Sequence, residues 1–241
     1  PFNILMITLF ILSMFSCKKD EVETPSNPLN GRTTAVFNPD KSYGSMTDID
    51  GNVYKTIKIG NQTWMAENLR VTKYNNGVSI PNIVDNEEWA SLTTGAFCNY
   101  NNTSDLDTIA TYGRLYNWYA VADTRRIAPE GWRVPSAADW HELIELLGGD
   151  TIASNALKEV GNIHWLDPYE STNSSGFTAI PSGRRYLEKN SNGIGAYYTL
   201  WTATEVELTG ASFLYMFYHD SKVWRGVNYK ANGYSVRLIK E

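Results

Sequence analysis

The chain has 241 residues, of which 42% are hydrophobic and 20% are charged. This balance is typical of a globular protein rather than a disordered one. The formal net charge is −5, which argues against nucleic acid as a partner, because nucleic-acid binding needs a basic surface. The chain contains two cysteines, Cys17 and Cys98, too few for a scaffold stapled by disulfides.

An uncharged apolar run from Ile4 to Ser16 comes first and ends at Cys17. Roughly 13 residues in a helix span about 20 Å, which is less than the ~30 Å core of a bilayer. We therefore expect a cleaved signal segment rather than a permanent membrane span. The junction resembles the lipobox of bacterial lipoproteins, which implies that Cys17 is lipidated and becomes the mature N-terminus. The alternative is an ordinary secretory signal with an incidental cysteine.

The signal implies a domain plan and a location. We expect a lipoprotein signal peptide over residues 1–17, a flexible polar tether over 18–46 and one folded domain over 47–241. Because the sequence starts at Pro1 without a basic segment, we expect its natural start to lie a few residues upstream. The predicted location is the outer membrane, on the cell-surface or periplasmic face. We expect the protein to bind the membrane through the lipid at Cys17.

Short strands open the predicted domain. Asp50-Gly51 is typical of a tight hairpin turn, and the alternation over 53–59 predicts a strand. Gly60-Asn61 predicts the next turn, and 62–65 the next strand. These signals predict an antiparallel meander.

Helical periodicity follows in the middle of the chain. Apolar spacing predicts a helix over 112–122 and a second one over 137–147, with Ser136 as its N-cap and Asp139 completing a capping box. A shorter helix is expected over 151–159, capped by Asp150.

After residue 160 the pattern returns to short strands. They are predicted over 176–180, 200–204, 212–218, 222–227 and 234–239. Helices grouped between two runs of strands indicate an α+β fold rather than an alternating parallel sheet. We expect the 53–59 and 235–239 strands to share one antiparallel sheet, with the 137–147 helix packed on it.

Several motifs resemble the Fibrobacter succinogenes major paralogous domain family. They are Asp50 to Tyr54, Ile59 to Leu69, Tyr112 to Trp118, Pro129 to Pro135, Ser175 to Phe177, Pro181 to Gly183 and Ser235 to Arg237. Their order and spacing cover nearly all of residues 47–240. The resemblance implies a secreted or lipid-anchored bacterial module of unknown molecular function.

A weaker similarity concerns the fold. Gly131 to Trp140 and the ending Gly233 to Arg237 are similar to formylglycine-generating enzymes, whose fold is a variant of the C-type lectin fold. This similarity implies a C-type lectin-like α+β fold, with a central antiparallel sheet, two or three helices and long loops.

The sequence offers little support for catalysis. Formylglycine-generating enzymes use paired cysteines at a copper site, whereas the predicted domain has Cys98 alone, which we expect to be a buried, inert thiol. His141-Glu142-Leu143-Ile144-Glu145 lacks the second histidine of a zinc helix. We therefore expect no metal and no cofactor, and the sequence leans against an enzyme without excluding one.

Aromatic content is the remaining signal, with eight Trp and fifteen Tyr. Most of these rings should be buried. The exceptions we expect lie among polar and glycine-rich neighbours and form one exposed ligand-binding patch, consisting of Tyr197, Tyr198, Trp224, Arg225, Asn228 and Tyr229. Such a surface suits a glycan or another surface polymer, because rings supply flat apolar platforms.

Three functions compete at this point. The favoured one is a non-catalytic, lipid-anchored binding module for glycan or another surface polymer. The alternatives are a polysaccharide-active enzyme that uses an unrecognised carboxylate pair and a structural subunit of a surface assembly. A deep cleft with two convergent carboxylates would favour the enzyme, and a shallow face with exposed rings would favour the binding module.

Overall fold

A computed structural model describes residues 27–168, 170–187 and 190–241. The strands are β1 (Gly44–Thr47), β2 (Val53–Ile59), β3 (Gln62–Met65), β4 (Phe97–Cys98), β5 (Leu115–Tyr116), β6 (Trp132–Arg133), β7 (Ser182–Arg185), β8 (Ser191–Ile194), β9 (Tyr197–Glu205), β10 (Gly210–Phe217), β11 (Val223–Tyr229) and β12 (Ile239–Lys240). The helices are α1 (Asn86–Ala90), α2 (Leu106–Tyr112), α3 (Trp118–Val121), α4 (Ala137–Leu146) and α5 (Ala153–Leu157), with a 3-10 turn at Tyr100–Asn102.

The strands form two five-stranded sheets and a small two-stranded one. The first sheet has the order β1-β2-β3-β12-β6 and is antiparallel throughout. The second sheet has the order β11-β10-β9-β7-β8, in which only β7 and β9 run parallel. The strands β4 and β5 pair by themselves.

The expected α+β, C-type lectin-like arrangement is wrong. The described chain is β-rich and is built on two curled sheets instead of one central sheet flanked by helices. Its longest helix, α4, has ten residues, and none of the helices in the described ranges is long and apolar enough to cross a membrane. The helical periodicity was a local signal, which could not show that long-range strand pairing dominates the fold.

The opening meander is confirmed. The strands β1 and β2 pair through the turn at Asp50-Gly51, where Gly51 has a φ of 77° that favours glycine. The predicted bounds of β2 and β3 match the observed ones. β2 and β12 lie in the same sheet, with β3 between them.

The helix α4 also forms where its signals placed it. The Ser136 hydroxyl accepts the Asp139 backbone N–H, and the Asp139 carboxylate accepts the Ser136 backbone N–H, so both halves of the capping box are present. The Arg133 guanidinium donates to both Asp139 oxygens at 2.7 Å and, with help from Ser136, lowers the pKa of that carboxyl to about 2.

The helix expected over 112–122 does not form as one element. The helix α2 ends at Gly113, whose φ is 73°, and the chain extends as β5 before Asn117 caps the short α3. A backbone N–H that pairs across strands cannot also continue a helix, and the tertiary pairing of β5 with β4 overrides the local periodicity. The third helix is limited to α5, and Asp150 does not cap it.

Only part of the late strand pattern survives. The strands β9, β10 and β11 form and are slightly longer or shifted, whereas 176–180 makes only a bridge, at Ala179. The final strand shrinks to Ile239–Lys240. Earlier in that segment, Tyr234 and Ser235 form single bridges to other strands, and the buried Arg237 guanidinium donates to the backbone carbonyls of Phe177 and Thr178.

The core fills both sides of the sheets. One apolar cluster gathers Tyr54, Trp118, Trp201 and Tyr234. A second large cluster contains Ile57, Trp64, Trp140 and Leu214 and lies under α4. Adjacent positions of a strand contribute to different clusters, as alternation requires.

The structure also bears on the predictions for the cysteines and for the segment before β1. Cys98 is fully buried, and burial raises the pKa of its thiol, so the expectation of a buried thiol is confirmed. Cys17 lies outside the described residues. From Asn27 onward, part of the segment expected as a tether packs on the domain, because Asn27 donates to Asp50 and Asn52 and Leu29 is buried.

Candidate functional site

The strongest candidate surface lies on one face of the second sheet. In β10 the buried Leu214 and Met216 alternate with three half-buried rings that point to the opposite face. Neighbouring strands add one ring each on that face. The aromatic face consists of Tyr197, Phe213, Tyr215, Phe217 and Trp224.

The rings of this face contact one another across strands. Tyr215 lies opposite Trp224, with ring planes 5° apart and centroids 5.9 Å apart. Phe217 lies opposite Tyr197 at 4.8 Å. Phe213 stacks against Tyr215 at 6.1 Å and joins the face to the core. The cross-strand register thus assembles rings that are distant in sequence into one surface.

Charged side chains cover part of these rings. The Arg184 guanidinium lies 3.9 Å from the Tyr197 ring centroid, and the Lys222 ammonium lies 3.8 Å from that of Trp224. Both are cation–π distances. The Trp224 indole N–H donates to Asp220 at 3.1 Å. Burial raises the pKa of the Tyr215 hydroxyl, an effect that Arg184 opposes.

The structure divides the six residues predicted as one patch. Tyr197, Trp224 and Asn228 lie on the aromatic face. Tyr198 does not belong to any exposed patch, because its ring is fully buried and its hydroxyl donates to Asn68 at 2.8 Å.

The other two predicted residues, Arg225 and Tyr229, lie on the opposite side of β11 from Trp224. Arg225 pairs with Asp150 at 2.7 Å, and its guanidinium also lies 3.3 Å from His141 on α4. Tyr229 is 60% exposed. The prediction of one convergent surface is therefore wrong for three of the six residues, because neighbours along a strand point in opposite directions.

Sequence reasoning missed Phe213, Tyr215, Phe217 and Arg184. The signal for the first three was available: aromatic residues recur at every second position of a strand whose other positions are aliphatic. No sequence pattern indicated that Arg184 would lie beside this face. Its strand, β7, is brought there by parallel pairing with β9, which a local pattern does not reveal.

A cluster of hydrogen-bonded polar side chains was also not predicted from the sequence. The Thr34 hydroxyl lies 2.8 Å from His164 Nε2, and His164 Nδ1 lies 2.6 Å from Glu159, which is fully buried. These distances resemble a nucleophile–base–acid chain. However, Thr34 Oγ1 also lies 3.0 Å from the Thr111 hydroxyl, and Glu159 accepts the Val36 backbone N–H. Because Thr34 and Glu159, the two ends of this hydrogen-bonded chain, both hold the segment around Thr34 in place, we interpret the cluster as structural rather than catalytic. We call the Thr34–His164–Glu159 contacts the clasp.

Among the described residues, each of the main cavities is lined by at most one carboxylate and not by the pair that the alternative enzyme function would use. A cavity of about 550 Å³ beside β2 has Glu67 as the single acid among its described lining residues. Both oxygens of Glu67 are used, one by the Lys55 backbone N–H and one by Arg70. Within the described ranges, no group of three or more His, Cys, Asp or Glu side chains could hold a metal ion.

The comparisons with known proteins agree with the motifs. The family model described as the Fibrobacter succinogenes major domain matches residues 57–240. No curated protein and no solved structure matches the chain, so the lectin-like similarity finds no support. The family match, which covers more than half of the chain, indicates a bacterial surface protein. The chain belongs to the Fibrobacter succinogenes major domain family.

Proposed function

We propose that this protein is a lipid-anchored, non-catalytic binding module of the bacterial surface, and that its aromatic face takes a glycan or another surface polymer. The observation that supports this function is the set of five contacting rings on one side of the second sheet. Near-parallel rings such as Tyr215 and Trp224 offer flat apolar area to the C–H faces of sugars. A long polymer can cross such a face without needing a deep pocket.

The structure offers a matched pair of variants to test this function. Trp224 and Tyr229 lie on the same strand but on opposite faces. Both are accessible to solvent, at 37% and 60%. We expect Trp224→Ala to abolish binding on a glycan array and Tyr229→Ala to preserve it, with the full chain purified in mild detergent. Equal binding by the two variants would rule out the aromatic face as the site, and failure of the unaltered protein to bind any glycan would remove the glycan function.

Anchoring is tested separately. The apolar run before Cys17 and the polar sequence after it support lipidation at that residue. A single acyl chain anchors a protein only marginally, so stable attachment requires more than one chain. Intact-mass measurement of membrane-extracted protein should give a chain that begins at Cys17 and carries added lipid. An unmodified N-terminus at Cys17 would disprove the anchor and leave the binding function open.

A further inference from the structure

The aromatic face carries two cations whose hydrogen-bonding capacity is unused. Arg184 and Lys222 lie over rings at opposite ends of the face, above Tyr197 and Trp224. Neither forms an ion pair with a carboxylate in the described ranges. The Nε atom of Arg184 is buried and has no hydrogen-bond partner. That atom lies out of a ligand's reach, so a partner that supplies acceptors would bind the other guanidinium nitrogens of Arg184 and the Lys222 ammonium.

The acid beside Trp224 is already engaged in hydrogen bonds. One Asp220 oxygen accepts the Trp224 indole N–H at 3.1 Å, and the other accepts the Lys222 backbone N–H at 3.0 Å. Asp220 thus orients Trp224 and the strand start but forms no ion pair with the Lys222 ammonium. The face therefore has two cations without ion-pair partners among the described residues and one carboxylate that already accepts two hydrogen bonds. The whole chain, in contrast, has a net charge of −5.

This local reversal of charge indicates what kind of polymer would fit. A guanidinium recognises a carboxylate through two parallel N–H donors, and an ammonium recognises it as a point charge. A neutral glycan would use the rings and leave the cations without partners of opposite charge. A glycan with carboxylates along its length would use both.

We propose that the aromatic face is specific for an acidic polysaccharide of the uronate class, with sugar rings on Tyr215 and Trp224 and carboxylates at Arg184 and Lys222. This inference rests on the proposed function and narrows its ligand class. Binding should weaken as salt rises, since exposed charge pairs are screened.

The sharpest experiment changes only the charge of the polymer. The full chain in mild detergent is titrated with polygalacturonate and with alginate, each beside its ester derivative, which keeps the backbone but removes the negative charge. We expect each acid form that binds to do so at least about tenfold more tightly than its ester, which corresponds to about 1.4 kcal/mol. Arg184→Gln and Lys222→Gln should each reduce this preference. Lys58→Gln, an exposed cation on β2 of the first sheet, is the matched control and should not.

The binding results distinguish failure of the uronate proposal from failure of the glycan function. If acid and ester forms bind equally, the uronate inference is overturned while a neutral-glycan function remains. If the acid form is preferred but Arg184→Gln and Lys222→Gln bind like the unaltered protein, the acidic site lies elsewhere. If neither uronate polymer binds while other glycans bind in a Trp224-dependent way, only the inference fails. Absence of binding to every glycan removes both proposals. Thermal unfolding of each variant verifies that it is folded.

Discussion

Trp140 shows how a single side chain joins α4 to the first sheet. Its indole is fully buried, 4.6 Å from the Trp64 ring and 5.5 Å from that of Phe177. The indole nitrogen has no hydrogen-bond partner. Its contribution to stability is therefore apolar packing, offset by one buried donor without an acceptor.

This balance leads to a prediction for two substitutions. Trp140→Ala should lower the free energy of unfolding by about 3–5 kcal/mol, because it leaves a large cavity. Trp140→Phe should lower it by less than half as much, since it fills most of the space and removes the unsatisfied N–H. Denaturant titration measures both, with the exposed Trp224→Ala as a control that should lose no more than about 1 kcal/mol. Equal losses for Ala and Phe would show that apolar packing does not determine the contribution of Trp140.

The helix α4 is stabilised at its start by charge as well as by the capping hydrogen bonds. Arg133 on β6 clamps Asp139, so this helix end is tied to the first sheet by the same carboxylate that caps it. Because the Asp139 carboxylate both caps α4 and pairs with Arg133, the orientation of α4 depends on the protonation of Asp139.

Asp139→Asn should therefore both destabilise the protein and change its response to acid. The pKa of Asp139 is about 2 in the folded protein, against 3.8 ordinarily. A depressed pKa stabilises the fold above about pH 4, and this stabilisation is lost as the pH falls towards 2. We expect the substitution to cost about 1–2 kcal/mol at neutral pH and to flatten the pH dependence of stability in this window. Denaturation midpoints at several pH values provide the measurement. An unchanged slope would show that another carboxylate is responsible.

Over the whole molecule, the segment that precedes β1 is part of the folded unit. Thr34 reaches His164, and Val36 reaches Glu159, across more than a hundred residues of sequence. Contacts of this span hold the segment around Thr34 and Val36 against the rest of the domain.

Loss of the clasp should release this segment. Thr34→Val keeps the side-chain size but leaves a nitrogen of the buried His164 ring without its partner, at a cost of about 1–3 kcal/mol. Hydrogen exchange should then accelerate over residues 33–38, while α4 stays protected. The neighbouring Thr33→Val removes only a local contact to the Ala35 backbone and serves as the control. Unchanged exchange in Thr34→Val would show that the clasp does not hold the segment.

Local signals were sufficient for several elements. The turn glycine Gly51 and the alternation in β2 specify a hairpin because both act over a few residues. Ser136 and Asp139 specify the start of α4 for the same reason. The family motifs were also readable along the chain, since motif order does not depend on how strands pair.

The pairing of distant strands was not readable in this way. A period of two assigns side chains to faces but does not name the neighbouring strand, so nothing in the chain placed β7 parallel to β9 or divided the strands into two sheets. The same limit applies to the candidate site. Alternation alone separates Tyr197 from Tyr198 and Trp224 from Arg225. The meeting of Tyr197, Tyr215 and Trp224 depends on cross-strand register, which long-range packing sets when the chain folds.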